Sequence, residues 1–211
     1  LPPATHNFIE FDLCPAARKV YRSLERDLVA EFGGSHFTAA NAMVATLRLQ
    51  QLTSGYLPDT DGNTQSISND KAQAFEDSLQ DLPKDERIVV FAKFRRDVAT
   101  AREILERVQG KRCAEISGSV NELSLYASGE AQSAVLNIQS GGEGLNDLVE
   151  SRYCYYYSQT HSLGQYEQSI KRVHRPGQKR HVHYIHLVAK GTVDARIYRR
   201  HEQRRTVIDS A

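Results

Sequence analysis

Apolar positions in the first third of the chain repeat at helical spacing. Ala17, Val20, Tyr21, Leu24, Leu28 and Phe32 fall on one face of a helix over residues 15–32. A second helical pattern begins near Thr38 and turns Ala40, Met43, Val44, Leu47 and Leu52 inward. The stretch TSGYLPDTDGNTQSISND, residues 53–70, is polar and rich in turn formers, which predicts a loop or exposed excursion. A short helix is predicted over 70–81.

From Arg87 the pattern changes to short continuous apolar runs. RIVVF (87–91), CAEIS (113–117), SAVLNI (133–138), RYCYYY (152–157) and HVHYIHLVA (181–189) are five strand candidates. Helical or loop segments separate them, including a helix over 95–108. Buried strands alternating with helices predict βαβ units and a mostly parallel sheet in an α/β fold. The tail, 192–208, reads as a helix with Thr192 as its N-cap and Asp194 in its first turn. Three regions follow: a helical lead-in with its loop (1–86), an α/β core (87–190) and a basic C-terminal helix (191–211). Ligands of such sheets gather at the carboxyl ends of the strands.

Composition adds limits. The 211 residues are 40% hydrophobic and 25% charged, as in ordinary globular proteins. No apolar run approaches the roughly eighteen residues of a membrane span, and no signal-peptide pattern is present. Cys14, Cys113 and Cys154 are too far apart for a zinc motif and odd in number, which fits a reducing, cytoplasmic setting. The net charge of +1 conceals an asymmetry. Residues 1–86 hold 7 Lys/Arg against 13 Asp/Glu, and residues 87–211 hold 20 against 13. Between Lys171 and Arg205 lie 11 basic residues and two acidic ones, Asp194 and Glu202. A basic half-chain points to polyanionic partners or to a solvated basic surface.

Two motifs carry candidate chemistry. QSGGEGLN (139–146) follows the third strand, and Gly141, Gly142 and Gly144 let backbone N–H groups approach a phosphate or another backbone. Its spacing is neither that of a Walker A loop nor that of a dinucleotide fingerprint. Ahead of QSIKRVHRPGQ (168–178), Ser162 and Gln165 form a capping-box pattern that opens a helix. Gln168 and Arg172 share a face, with Arg175 three residues on. Pro176 should end the helix near Arg175. Two guanidinium groups so placed fit the spread charge of a transferring phosphoryl group.

Taken in order, RIVVFAKF, a strand ending in ISG, the strand into SGGEGLN, QSIKRVHRPGQ and HVHYIHLVAKGTVD resemble motifs IV, V and VI of the C-terminal RecA-like lobe of Swi/Snf-type superfamily 2 helicases, in the compact bacterial or phage form. Gln168, Arg172, His174, Arg175, Gly177 and Gln178 match the motif VI pattern. LRLQQLTSG resembles the segment that enters this lobe. The resemblance implies a parallel sheet of about five or six strands and, in the whole protein, ATP hydrolysis coupled to movement along double-stranded DNA. It implies Arg172 and Arg175 as the catalytic arginines, with Arg175 the finger on the γ-phosphate. Gln168, Gly142, Glu143 and Gly144 would border the nucleotide. Lys93, Ser117, Gly118, Gln139 and Ser140 would border the DNA, with Arg95 a further phosphate candidate.

There are departures. Relatives often carry Arg where Gln139 stands and an apolar residue where Glu143 stands. The chain holds neither a Walker A sequence nor an Asp-Glu-x-His box. The resemblance therefore assigns the phosphate cradle and the Mg²⁺ ligands to a first RecA-like lobe, the partner of this one. It predicts no metal ligands here and no activity for this piece alone. The opening LPPATHNFIEFDL reads as a boundary or inter-lobe junction. Three alternatives stand beside this reading: a degenerate, non-catalytic binding module; a Rossmann-type nucleotide enzyme, which the missing fingerprint disfavours; and, within the same family, strand separation or an RNA substrate.

Overall fold

The computed structural model of the protein describes residues 1–32, 38–59, 63–140 and 146–209, without the side chains of residues 29, 31, 32, 39 and 204–209. A six-stranded, wholly parallel sheet forms its centre. The strands are β1 (Ala4–Phe11), β4 (Ile88–Ala92), β5 (Cys113–Ile116), β6 (Ser133–Asn137), β7 (Tyr153–Tyr156) and β8 (Val182–Ala189), in the order β1-β8-β7-β4-β6-β5. A separate antiparallel hairpin joins β2 (Tyr56–Pro58) to β3 (Thr64–Ser66).

The central strand β4 is buried along its whole length, as its unbroken IVVFA requires of a strand covered on both faces. Alternation sends Ile88, Val90 and Ala92 to one face and Val89 and Phe91 to the other. The first face is covered by α1 (Pro15–Phe32), α2 (Ala39–Thr53), α3 (Asp70–Gln80), α4 (Arg95–Gln109) and α7 (Val193–Asp209). Ala17, Tyr21, Leu49, Leu52, Phe75, Leu79, Ile104, Val193 and Ile197 fill that core. The second face is covered by α5 (Leu123–Ser128), a 3₁₀ turn (Asn146–Glu150) and α6 (Leu163–Val173), through Tyr126, Leu148, Tyr166 and Val173.

The five strands expected from apolar runs are all present. The sixth is β1, in the stretch expected to be a junction. It pairs with β8 through eight residues in register. As an edge strand it exposes most of its positions, so Thr, His, Asn and Glu suffice where an inner strand needs Val or Ile. The polar excursion after α2 also holds the β2–β3 hairpin. Gly55 begins it at φ 94°, and a Cβ there would meet the Ser68 carbonyl oxygen at 2.2 Å, so only glycine fits. Of the residues expected to point inward on α2, Met43 and Val44 are exposed, and Gln50 and Thr53 are buried instead.

Candidate functional site: a nucleotide face and a nucleic-acid edge

Helix α6 begins as its sequence demands. The Ser162 hydroxyl accepts from the Gln165 N–H at 3.3 Å. The reciprocal capping contact is relayed, since the Thr160 hydroxyl accepts from the Ser162 N–H and donates to the Gln165 side-chain oxygen at 2.7 Å. Tyr166, Ser169 and Val173 are buried against the sheet, where Ser169 shares a 2.6 Å hydrogen bond with the Tyr156 hydroxyl. The helix ends at Val173, slightly earlier than the proline alone suggested. His174 leaves helical geometry, and its Nε2 lies 2.7 Å from the Pro2 carbonyl oxygen.

Arg172 therefore sits in the last turn, and Arg175 sits in the turn that follows. That turn is braced by Gln178, whose amide nitrogen donates to the Val149 and Ser151 carbonyls at 2.9 Å each. Its oxygen accepts from the N–H groups of Lys179 and Arg180. Gly177 supplies the positive φ, 107°. The sequence pattern picked out Gln178 and His174 without giving them a task; both fasten the arginine-bearing turn to its neighbours.

The Arg175 guanidinium donates to the Asn146 side-chain oxygen. Arg172 is half-buried, and its Nη1 is buried with no hydrogen-bond partner among the described residues. Burial pulls its pKa below the ordinary arginine value. A buried guanidinium nitrogen without an acceptor is costly unless something anionic arrives. Gln168 is exposed one turn earlier on the same face. Gly142, Glu143 and Gly144, with Gly141, lie outside the described residues.

The other candidates lie at the opposite edge of the sheet. Arg175 neighbours residues that precede β7, while Lys93, Ser117 and Gln139 follow the carboxyl ends of β4, β5 and β6. Strands of this length put about 15 Å between the edges. The arginine turn and the other candidates thus lie at opposite ends of the strands.

At the carboxyl edge, several groups are already engaged. The Ser117 N–H donates to the Val120 carbonyl, and its hydroxyl donates to Glu115 at 2.7 Å. The N–H groups of Gln139 and Ser140 both turn back to Asn137. Side chains, not these amides, are what this edge presents. Gly118 and Gln139 are exposed. Lys93 is turned inward; its Nζ donates to Gln50 Oε1 at 2.9 Å, and burial brings its pKa down to about 8.

Lys93 borders a buried polar cluster that no sequence signal revealed. Lys71 Nζ meets Asp194 at 3.0 Å, and the Thr53 hydroxyl bonds the other Asp194 oxygen. Ser54 donates to Asp97, which burial raises to about 6 against the pull of Lys71 and the hydroxyls of Ser158 and Ser54. Among the described residues no group of three or more His, Cys, Asp or Glu could hold a metal ion. Among the same residues, no helix is long and apolar enough to cross a membrane.

No family model matches the chain. It is 27% identical over 210 residues to the protein p41 of Acyrthosiphon pisum secondary endosymbiont phage 1, covering 97% of this chain and 44% of that protein. It is 29% identical over 139 residues to the DNA repair protein RAD5 of Yarrowia lipolytica, covering 64% of this chain and 14% of that one. The Sulfolobus solfataricus SWI2/SNF2 ATPase core superposes with a TM-score of 0.74 at 18% identity, covering 100% of this chain and 45% of that one. The same core in complex with double-stranded DNA gives 0.72 at 20% identity, covering 94% and 44%. The C-terminal part of the Fun30 ATPase domain gives 0.70 at 16%, covering 94% and 88%. The chain has the fold of a Swi/Snf-type C-terminal RecA-like lobe. The lobe spans less than half the length of either of these curated relatives.

Proposed function

We propose that this lobe is one half of an ATP-driven motor that moves along double-stranded DNA. ATP bound to a first RecA-like lobe is the substrate, and this lobe contributes Arg172 and Arg175. The observation that carries the reading is Arg172 Nη1, buried and without a partner among the described residues, beside Arg175 on a turn that Gln178 and His174 hold in place.

When the two lobes close, the guanidinium groups approach the γ-phosphate. Arg172 then gains the anionic acceptor that its buried nitrogen lacks. Arg175 exchanges Asn146 for a phosphoryl oxygen, whose charge is greatest in the transition state. Gln168 lies on the same face, where it orients the pair or touches the nucleotide. Gly142, Glu143 and Gly144 are assigned to the nucleotide border by the sequence resemblance. Ser117, Gly118, Gln139 and Ser140 form the DNA edge, where Gln139 and the Ser140 hydroxyl are the groups best placed to reach phosphates, while Lys93, the fifth candidate, stays bound to Gln50 behind it. Alternate closing and opening shifts the grip of the two lobes on the duplex.

The test is DNA-stimulated ATP hydrolysis by the full-length protein. Arg175→Ala should lower turnover by about 10³-fold or more. Nucleotide affinity should move far less. Arg175→Lys should fail nearly as badly, because a point charge does not replace a planar fork. A folded Arg175→Ala protein with near-normal turnover would favour the non-catalytic binding module.

A further inference from the structure

We propose that the outer face of α1 is a second binding surface for nucleic-acid phosphates, remote from both the arginine turn and the Ser117–Gln139 edge. The inference rests on the DNA reading above and enlarges the footprint that reading implies.

Ala17 and Tyr21 bury one side of α1. The opposite side carries Arg18, Lys19, Arg22 and Arg26. With Pro15 and Ser23 they line an open trough of about 460 Å³, and none of these lining residues is acidic. Lys19 and Arg22 are exposed and have no ion-pair partner among the described residues. Arg18 reaches Asp12 only at 4.0 Å, and Asp12 is shared with Lys190. Arg26 lies 3.7 Å from Asp27, both side chains being largely exposed.

Several other arginines are well neutralised. Arg102 is surrounded by Glu106, Glu115 and Glu122, Arg107 meets Glu76, and Arg152 and Arg180 share Glu86. The α1 face breaks two local rules at once. Arg18, Arg22 and Arg26 are like charges at i, i+4 spacing, which repel. Arg18 and Lys19 also lie near the positive end of the helix dipole, where the first turn holds no acidic residue and, among the described residues, the Asp70 carboxylate meets only the Cys14 N–H just before the helix, at 2.9 Å. Local violations of this kind are expected where function requires them, and a polyanion would relieve both.

The position fits the same duplex. Asp12 and Lys190 directly follow the carboxyl ends of β1 and β8, and Lys190 N–H bonds the Phe11 carbonyl. The trough thus begins at the far end of the edge that bears Ser117 and Gln139 and runs back from it along α1. Strand order puts β1 and β5 at opposite margins, roughly 24 Å apart at the usual strand spacing. That distance is less than one turn of duplex, about 34 Å.

The experiment measures binding of the full-length protein to a short DNA duplex across a salt series. The Lys19→Gln/Arg22→Gln pair should lower affinity about tenfold or more. The slope of log affinity against log salt should flatten by about 1.8, some 0.9 for each phosphate no longer neutralised. Lys19→Glu/Arg22→Glu should weaken binding further. Thermal stability should hold or rise in the neutral pair, since a repulsion is removed. Unchanged affinity and slope in variants of a protein that does bind DNA would overturn this inference alone. Reduced affinity with an unchanged slope would also overturn it, as would a reduction confined to a polyglutamate probe. A wild-type protein that ignores duplex DNA would overturn the DNA reading itself.

Discussion

Lys71 and Asp194 meet at 3.0 Å with side chains 1% and 7% exposed, joining α3 to α7 across 123 residues of sequence. Their contact draws in Thr53 from α2 and the Ala189 N–H at the end of β8. Removing one partner strands a buried charge, so Lys71→Ala should cost on the order of 3–5 kcal/mol. Lys71→Met with Asp194→Asn keeps volume and removes both charges, and should recover much of that stability. Urea unfolding of both variants checks it; a Lys71→Ala cost under about 1 kcal/mol, the range of an exposed pair, would mean that water reaches these charges.

Asp97 gives the cluster a pH signature. Burial raises its pKa from the ordinary 3.8 to about 6, despite Lys71 nearby. The fold therefore favours the neutral acid. Below about pH 4 the group is protonated in both folded and unfolded chains and carries no penalty. As pH rises through about 6 the folded protein must hold a buried carboxylate, at a cost of about 3 kcal/mol. Asp97→Asn should be insensitive in this window and should gain on the wild type as pH rises from about 4 to about 7. Unfolding free energies at several pH values decide it. A variant that becomes less stable relative to wild type instead shows that the attraction of Lys71 outweighs burial.

Much of this architecture was legible in the sequence, and the parts that were not share a cause. Strands β4 to β8 are covered on both faces, so their side chains had to be apolar and their runs stood out. Strand β1 pairs on one side only and exposes His6, Asn7 and Glu10 or leaves them half-covered, so no apolar run marks it. The spacing of Gln168, Arg172 and Arg175 was legible because one helix and one turn create it. The unpartnered nitrogen of Arg172 was not, because it depends on which elements pack around α6. Lys71, Asp97 and Asp194 look like surface charges in the sequence; only the fold brings them together.

Lys93 shows the same limit. Its position after β4 made it a phosphate candidate, yet its amine is held by Gln50 inside the protein. Lys93→Met should therefore leave the salt slope of DNA binding unchanged while altering stability, as Gln50 is deprived of its donor and a buried cation is removed. Titrating duplex DNA at several salt concentrations tests this. A slope flatter by about 0.9 would show that the amine leaves Gln50 to meet a phosphate.

Gln178 tests whether the arginine turn must be rigid. Its side chain makes four hydrogen bonds, two to carbonyls before β7 and two to the N–H groups that close the turn. Both ends of its amide are engaged within the protein, and it holds the turn from which Arg175 projects. Displacing a catalytic group by about 1 Å can cost roughly 10²-fold in rate. Gln178→Ala should thus lower DNA-stimulated turnover by about 10- to 100-fold, less than Arg175→Ala. Nucleotide affinity should stay within a few-fold, because the effect is one of orientation. Gln178→Glu keeps the two acceptor contacts but presents a carboxylate to two carbonyls, so it should be no better than alanine. Added free guanidinium should rescue Arg175→Ala more than Gln178→Ala, since only the former lacks the group itself. Equal rescue of both variants, or wild-type turnover in a folded Gln178→Ala protein, would show that the turn holds Arg175 without this brace.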